Sequence, residues 1–290
     1  MQLAAIEAFV TICDTGSFRA AAQRLHVSQP AVSKRLANAE ARLGFALFDR
    51  VGRRVILTDA GRQFLPHARR MLAALEDGRR ALDELSDRVI GHLALALSHH
   101  VAMHRMPPVL RQYVKTFPGV GLDIHFLGSE DACHAVARGH VELAIVTLPD
   151  PPIAGLDQQR VWADPMVIAV AEDHPLAQQT EVTAAQLREV PALLPEPDTQ
   201  THAIVSRAVG GHDADLTVRQ HSNNLDTLKM LAEVGLGWTA LPPAMLADSR
   251  LRELTLPGVT LTRALGTVRH PERHLSAAAA ALLSLLNEPE

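Results

Sequence analysis

The 290 residues predict an α/β protein in three parts: a mainly helical head (1–58), a connecting helix (59–89) and a body of strands and helices (90–290). Three observations predict this. Residues 15–36 read as two short helices around a tight turn. Residues 59–89 carry apolar side chains at heptad spacing, with Pro66 the one proline among them. Residues 90–290 alternate short apolar runs with amphipathic stretches, the pattern of sheets covered by helices.

In the head, Leu3, Ile6, Phe9 and Val10 recur at helical spacing, so a first helix runs to about Cys13. Gly16 can end it in a left-handed cap, and Ser17 can cap the next helix by accepting its free amide hydrogens. Ala20, Ala21 and Ala22 let that second helix pack closely against a neighbour. Ser28 caps a third helix, with Pro30 in the first turn, where its missing amide hydrogen is harmless.

Along the third helix, Val32, Leu36, Ala39 and Leu43 form one apolar stripe. The opposite face offers Gln29, Ser33, Lys34 and Arg35. Such a helix suits the major groove, where Gln pairs with adenine and Arg or Lys with guanine. Ser33 and Lys34 can equally contact phosphate, which orients without reading sequence. The run from Leu47 to Thr58 then predicts a hairpin with Arg50, Arg53 and Arg54 near its tip, placed to grip phosphates or a narrow minor groove. With Ser17, Arg19, Ser28 and Pro30 at the turn, these residues make up the candidate DNA-contacting set. The plainer reading is a three-helix domain with a solvated basic face.

Charge divides the chain in the same place. Residues 1–58 hold 8 Lys+Arg against 4 Asp+Glu, and the remainder holds 20 against 28. A basic head on an acidic body favours nucleic-acid binding by the head alone. Together, Phe9, Gly16-Ser17-Phe18, Ala20-Ala21-Ala22, Leu25, Val27 to Ser33, Leu36, Glu40, Leu43-Gly44, Leu47 to Arg50 and Leu57 to Gly61 resemble the LysR-type transcriptional regulators. That resemblance implies a winged helix-turn-helix, a linker helix, and a two-lobed effector-binding domain with the layout of a periplasmic binding protein. Lys34-Arg35 departs from the family, which often has Arg followed by a polar residue, so the operator cannot be carried over from a relative.

In the connecting segment, Phe64, Ala68, Met71, Leu75, Gly78, Leu82, Leu85 and Val89 are spaced as a heptad seam, which normally pairs with a second copy of itself. Pro66 is expected to limit where regular helix begins, and Gly78 to mark a bend. Packing of the helix on its own domain is the alternative.

The body predicts strands at 91–98, 121–127 and 142–148 with helices at 109–117 and 129–138, then a second set. That set has strands at 166–171, 192–195, 216–221 and 237–242 with helices near 201–208 and 225–234. A strand near 261–268 returns the chain to the first lobe before a final helix. The sheets are expected to be parallel, with a cleft between lobes where strand ends feed helices. Ser98, Ser129, Thr199, Gln200 and Thr201 sit at such helix starts, whose unpaired amides suit an oxyanion, and their positions match those the resemblance assigns to an effector cleft. His99, His100, Thr147, His202, Asn223 and Trp238 complete the candidate set. The resemblance puts a smaller aliphatic residue at Trp238, so the indole either narrows the cleft or fills the core.

The 15 histidines form no HExxH pattern and the two cysteines, Cys13 and Cys133, no CxxC, so no metal or other cofactor is expected. Isolated thiols suit a reducing cytoplasm, and no apolar run is long enough to span a bilayer. No nucleophile–base–orienter set is visible, which argues against an enzyme. The expectation is a cytoplasmic, sequence-specific DNA-binding regulator controlled by a small effector, an organic acid or other anion. Its partners are promoter DNA, further copies of itself as homodimer or homotetramer, and RNA polymerase as a further candidate. The alternatives are an effector-independent or a redox-sensing regulator, and an architectural DNA binder.

Overall fold

The structure, a computed structural model, describes residues 2–51, 54–83, 89–209 and 216–287. They form two compact units, Met1–Ser86 and Asp87–Glu290. The connecting helix therefore belongs with the head, and the expected fold class, a helix-turn-helix head and a two-lobed α/β body, is the one observed.

The head follows from its local signals. Helix α1 (Leu3–Thr15) ends at Gly16, whose φ of 63° is the left-handed conformation that glycine adopts without strain. Ser17 accepts a hydrogen bond from the Ala20 amide to open α2 (Phe18–Arg24), and Ser28 does the same from Ala31 for α3 (Gln29–Leu43). Strands β1 (Phe48–Val51) and β2 (Arg54–Leu57) form the antiparallel hairpin. The Phe9 ring lies 5.4 Å from both Phe48 and Phe64, so α1, the hairpin and the following helix share one core with Val32 and Leu36. Glu40 fixes the hairpin to α3 by accepting the Leu47 amide at 2.7 Å.

Helix α4 (Asp59–Asp83) starts under a cap from Thr58, which accepts the Gly61 amide. A side chain at Gly61 would meet the Leu47 carbonyl oxygen at 2.1 Å, so glycine is what lets the helix lie against the hairpin. Pro66 does not delay the regular helix, which already runs from Asp59. Arg62 and Pro66 are both exposed, so water can take the place of the amide that proline lacks at the Arg62 carbonyl. The seam divides: Phe64 and Ala68 pack into the head core, while Met71 and Leu75 are 40% and 38% exposed. Leu85, like the hairpin's Arg53, lies outside the described residues.

Among the described residues, the body holds a seven-stranded mixed sheet and, in the second lobe, a separate two-stranded parallel one, so parallel sheets alone do not make it up. Strand β3 (Gly91–Leu97) pairs in parallel with β4 (Val120–Phe126) and β5 (Leu143–Thr147), and α5 (His99–His104), α6 (Met106–Thr116) and α7 (Ser129–Arg138) belong to the same lobe. Helix α6 begins earlier than expected because Pro107 and Pro108 fall in its first turn, where they are tolerated.

Strand β6 (Asp157–Ala171) is far longer than the 166–171 expected. Its first half is largely polar and Pro165 follows just past the midpoint, which hides the strand pattern. In the second lobe, α8 (Ala184–Arg188), β7 (Ala192–Leu194), α9 (Gln200–Ala208), β8 (Val218–His221), α10 (Leu225–Glu233), β9 (Thr239–Leu241) and β10 (Leu251–Leu254) follow. Strand β11 (Leu261–Arg269) pairs antiparallel with β6 along its whole length and with β5 at its far end, before α11 (Ala277–Leu286). These two long antiparallel strands join the lobes, and they make the sheet mixed. Each lobe keeps its own core, one around Leu95, Tyr113, Ile145 and Leu282 and the other around Ile168, Leu187, Val205 and Trp238.

Candidate functional site

On the head, Gln29, Pro30 and Lys34 are exposed on α3; Pro30 and Lys34 lie on the side away from buried Val32, Leu36 and Ala39, and Gln29 opens the helix. Ser33 and Arg35 on the same helix are half-buried, Arg19 is exposed on α2, and Ser17 and Ser28 serve as its cap and that of α3. Arg50 and Arg54 belong to the two strands of the hairpin, opposite Val55 and Val51. Among these candidates, the exposed ones lie on α2, on α3 and at its cap.

In the body, a cleft of about 250 Å³ opens between the lobes. That lies just below the size of sites for drug-like ligands, which suits a small metabolite. Ser98, His99, His100, Gly128, Ser129, Glu130 and Thr147 line it from the first lobe, where β3 and β4 run out into α5 and α7 and β5 ends. Thr199, Gln200, Thr201, Asn223 and Asn224 line it from the starts of α9 and α10, and Arg263 lines it from β11.

Two of the candidates are elsewhere. Trp238 is fully buried in the second lobe's core, its indole donating to the carbonyls of Leu187 and Val190. A large side chain with one polar atom fills a core well once that atom has an acceptor. His202 is 3% exposed and faces the Pro195 carbonyl at 2.9 Å, stacked on His221, because it lies on the inner side of α9.

Several of the remaining polar groups already serve the backbone. Thr199 caps α9 by accepting the His202 amide, Asn224 caps α10, Ser129 Oγ accepts the Thr147 amide, and Asn223 Oδ1 accepts the Glu196 amide. Ser98 and Arg263 differ. Both are more than nine-tenths buried, and Ser98 Oγ and Arg263 Nη2 have no hydrogen-bond partner; nor does His100 Nδ1. Unpartnered buried donors are costly and rare in folded proteins.

Arg263 belongs to a charge cluster that sequence reasoning missed. It stands opposite Asp164 in the β6–β11 register and donates from Nε to Asp164 Oδ2 at 2.8 Å, while Nη1 donates to Thr201 Oγ1 at 3.2 Å. Arg105 reaches Asp164 Oδ1 at 3.2 Å, and His100 Nε2 lies 3.5 Å from Oδ2. Burial alone would raise the Asp164 carboxyl, but the facing His100 and Arg263 outweigh it and hold it well below the usual carboxylate range. Burial likewise pushes the His100 imidazole down. One carboxylate thus faces two guanidinium groups, of which Arg263 lines the cleft.

Cys133 is fully buried on α7, and burial pushes its thiol up to about 11. Among the described residues, no group of three or more His, Cys, Asp and Glu side chains could hold a metal ion. No helix among them is long and apolar enough to cross a membrane.

Comparison with known proteins places both parts of the chain in one family. Residues 3–62 match the bacterial regulatory helix-turn-helix model of the lysR family, and residues 86–289 match the LysR substrate-binding domain. A helix-turn-helix-type transcriptional regulator of Azotobacter vinelandii is 56% identical over 108 residues, covering 37% of this chain and 75% of that protein. A probable RuBisCO transcriptional regulator of Cyanidioschyzon merolae is 27% identical over 280 residues, covering 93% and 92%. The full-length regulator CbnR, crystallised with its target DNA, is 19% identical and shares the fold with a TM-score of 0.65 over 99% of both chains.

Proposed function

The chain belongs to the LysR family of DNA-binding transcriptional regulators, and on that footing we propose that its effector is a small organic anion held in the interlobe cleft. The observation that carries this reading is Arg263: a guanidinium 4% exposed, with Nη2 unpartnered, on the cleft floor. Ser98 Oγ, also unpartnered, adds a hydroxyl for a carboxylate oxygen. Binding there favours one placement of the lobes over another, and DNA binding responds to the extent that affinity differs between the two. Gln29 and Arg35 read base edges, while Arg19 and Lys34 hold the backbone. Met71 and Leu75, exposed along the apolar seam of α4, support pairing with a second copy, and two heads then read a two-fold site beside RNA polymerase in the cytoplasm. A redox signal is the weaker reading, because the Cys133 thiol is buried and raised in pKa.

The test is mapping of bound DNA in the native host beside a Gln29→Ala, Arg35→Ala variant, followed by titration of small acids against the promoter found. Discrete peaks lost in the variant, and an acid that changes promoter affinity, are the expected result. Diffuse occupancy unchanged by the substitutions overturns specific regulation, and a promoter complex indifferent to every acid overturns the effector.

A further inference from the structure

We infer that the cleft contains a carboxylate subsite at the start of α9 and that the chain's own Glu130 occupies it, so that an acidic effector enters by displacing Glu130. The inference rests on the cleft being the effector site.

Helix α9 is nine residues long, and its capping residue Thr199 satisfies the His202 and Ala203 amides. The first helical amide, that of Gln200, has no acceptor within its own helix, as the geometry of any α-helix requires. It donates instead to Glu130 Oε1 at 3.3 Å, across 70 residues of sequence and across the cleft. Glu130 stands in the first turn of α7, in the opposite lobe. A carboxylate there could have served the amides of its own helix; it reaches the helix of the other lobe.

The surroundings call for an anion independently of that contact. Arg263 and Ser98 line the same cleft, both more than nine-tenths buried and each with an unpartnered polar atom. Arg263 is also tied to Thr201, the second residue of α9, so the guanidinium and the helix start form one surface. Asp164 lies between Arg263 and Arg105 and offsets only one of their two charges. Glu130 is half-buried, lines the same cleft as Arg263, and brings a negative charge to it from the opposite lobe.

A tethered group competes at the effective concentration its tether sets. A free carboxylate therefore binds only as well as the fraction of molecules with Glu130 displaced allows: a subsite filled by Glu130 about nine-tenths of the time weakens it tenfold. Displacement also removes a direct bond between lobes, which couples arrival of the acid to their placement. A neutral molecule can accept the Gln200 amide but does not replace the charge of Glu130 beside Arg263, so the subsite favours carboxylates.

Acetate carries the head group of Glu130 without the tether, and it is the probe. The full-length protein and its Glu130→Ala, Glu130→Gln and Asp131→Ala variants are titrated with sodium acetate at constant ionic strength, with binding followed by NMR. Asp131, exposed on the same helix, controls for the loss of one negative charge. Glu130→Ala is expected to bind acetate about tenfold more tightly than the parent, Glu130→Gln to fall between, and Asp131→Ala to match the parent. Equal acetate affinity in the parent and both Glu130 variants, or the same gain in Asp131→Ala, overturns the subsite. The promoter assay separates this from the wider reading. A gain in acetate binding with a promoter complex indifferent to all acids keeps the subsite and removes the effector; an acid response without the gain does the reverse.

Discussion

Arg19 and Lys34 stand in solvent on the head, on helices whose opposite faces are buried, whereas Arg263 in the body is 4% exposed and clasped by Asp164 and Thr201. The same kind of charge obeys different physics in the two places. An exposed cation is screened by salt and contributes a small, nearly independent amount to whatever it meets. A buried one has been stripped of water, so its partners cannot be removed singly without large cost. The head is thus suited to summing many weak contacts along a charged surface, and the cleft to a discrete response.

The largest effect that could break this contrast is expected at Asp164. Asp164→Asn keeps the shape but leaves Arg263 buried without its counter-charge, and should destabilise the body by about 3–5 kcal/mol. Denaturation of the full chain followed by tryptophan fluorescence measures it, since Trp162 and Trp238 both lie in the body. A loss below about 1 kcal/mol would put the pair with surface ion pairs. The sign of its pH dependence is also determined. The folded carboxyl is held below its ordinary value, so its contribution is complete above about pH 5 and is lost progressively as pH falls below that.

An intermediate case sharpens the comparison. Asp14 of α1 meets Arg69 of α4 at 2.6 Å, with the side chains 11% and 21% exposed. Asp14→Asn should cost about 1–2 kcal/mol, between the exposed and buried limits, read as a shift in chemical denaturation by circular dichroism. A cost as large as that of Asp164→Asn would mean that burial does not set the scale.

How far each region was legible in the sequence follows from where its information lies. The head's helices begin and end at Gly16, Ser17, Ser28, Pro30 and Gly44, and each acts through its own backbone or that of residues a few positions away. The cleft's helix starts were legible for the same reason. Its charge cluster was not, because Asp164 and Arg263 are 99 residues apart and meet only through the register of β6 and β11. A partial signal existed. Arg263 shares strand phase with buried Leu261 and Leu265, and Asp164 with buried Met166 and Ile168. A charge on the buried phase of a strand requires a partner, though alternation does not say which. Trp238 takes the core alternative and His202 lies off the cleft for the converse reason: a polar tip in sequence does not reveal that a carbonyl inside the core accepts from it.

The smallest expected effect is at Lys34, and it tests the exposed half of the comparison. Lys34→Ala leaves α3 intact, since the residue is exposed and alanine favours helix. If Lys34 holds phosphate, the slope of log affinity against log salt should become shallower by about 1, with operator and unrelated duplexes weakened alike. Fluorescence anisotropy between about 50 and 200 mM salt resolves that change. If Lys34 instead reads guanine, affinity for the operator falls while affinity for the unrelated duplex hardly moves. The first outcome leaves recognition to Gln29 and Arg35 and makes Lys34 one term in a sum. The second makes the Lys34-Arg35 pair, the position where the chain departs from the usual family pattern, the place where its operator differs from those of its relatives.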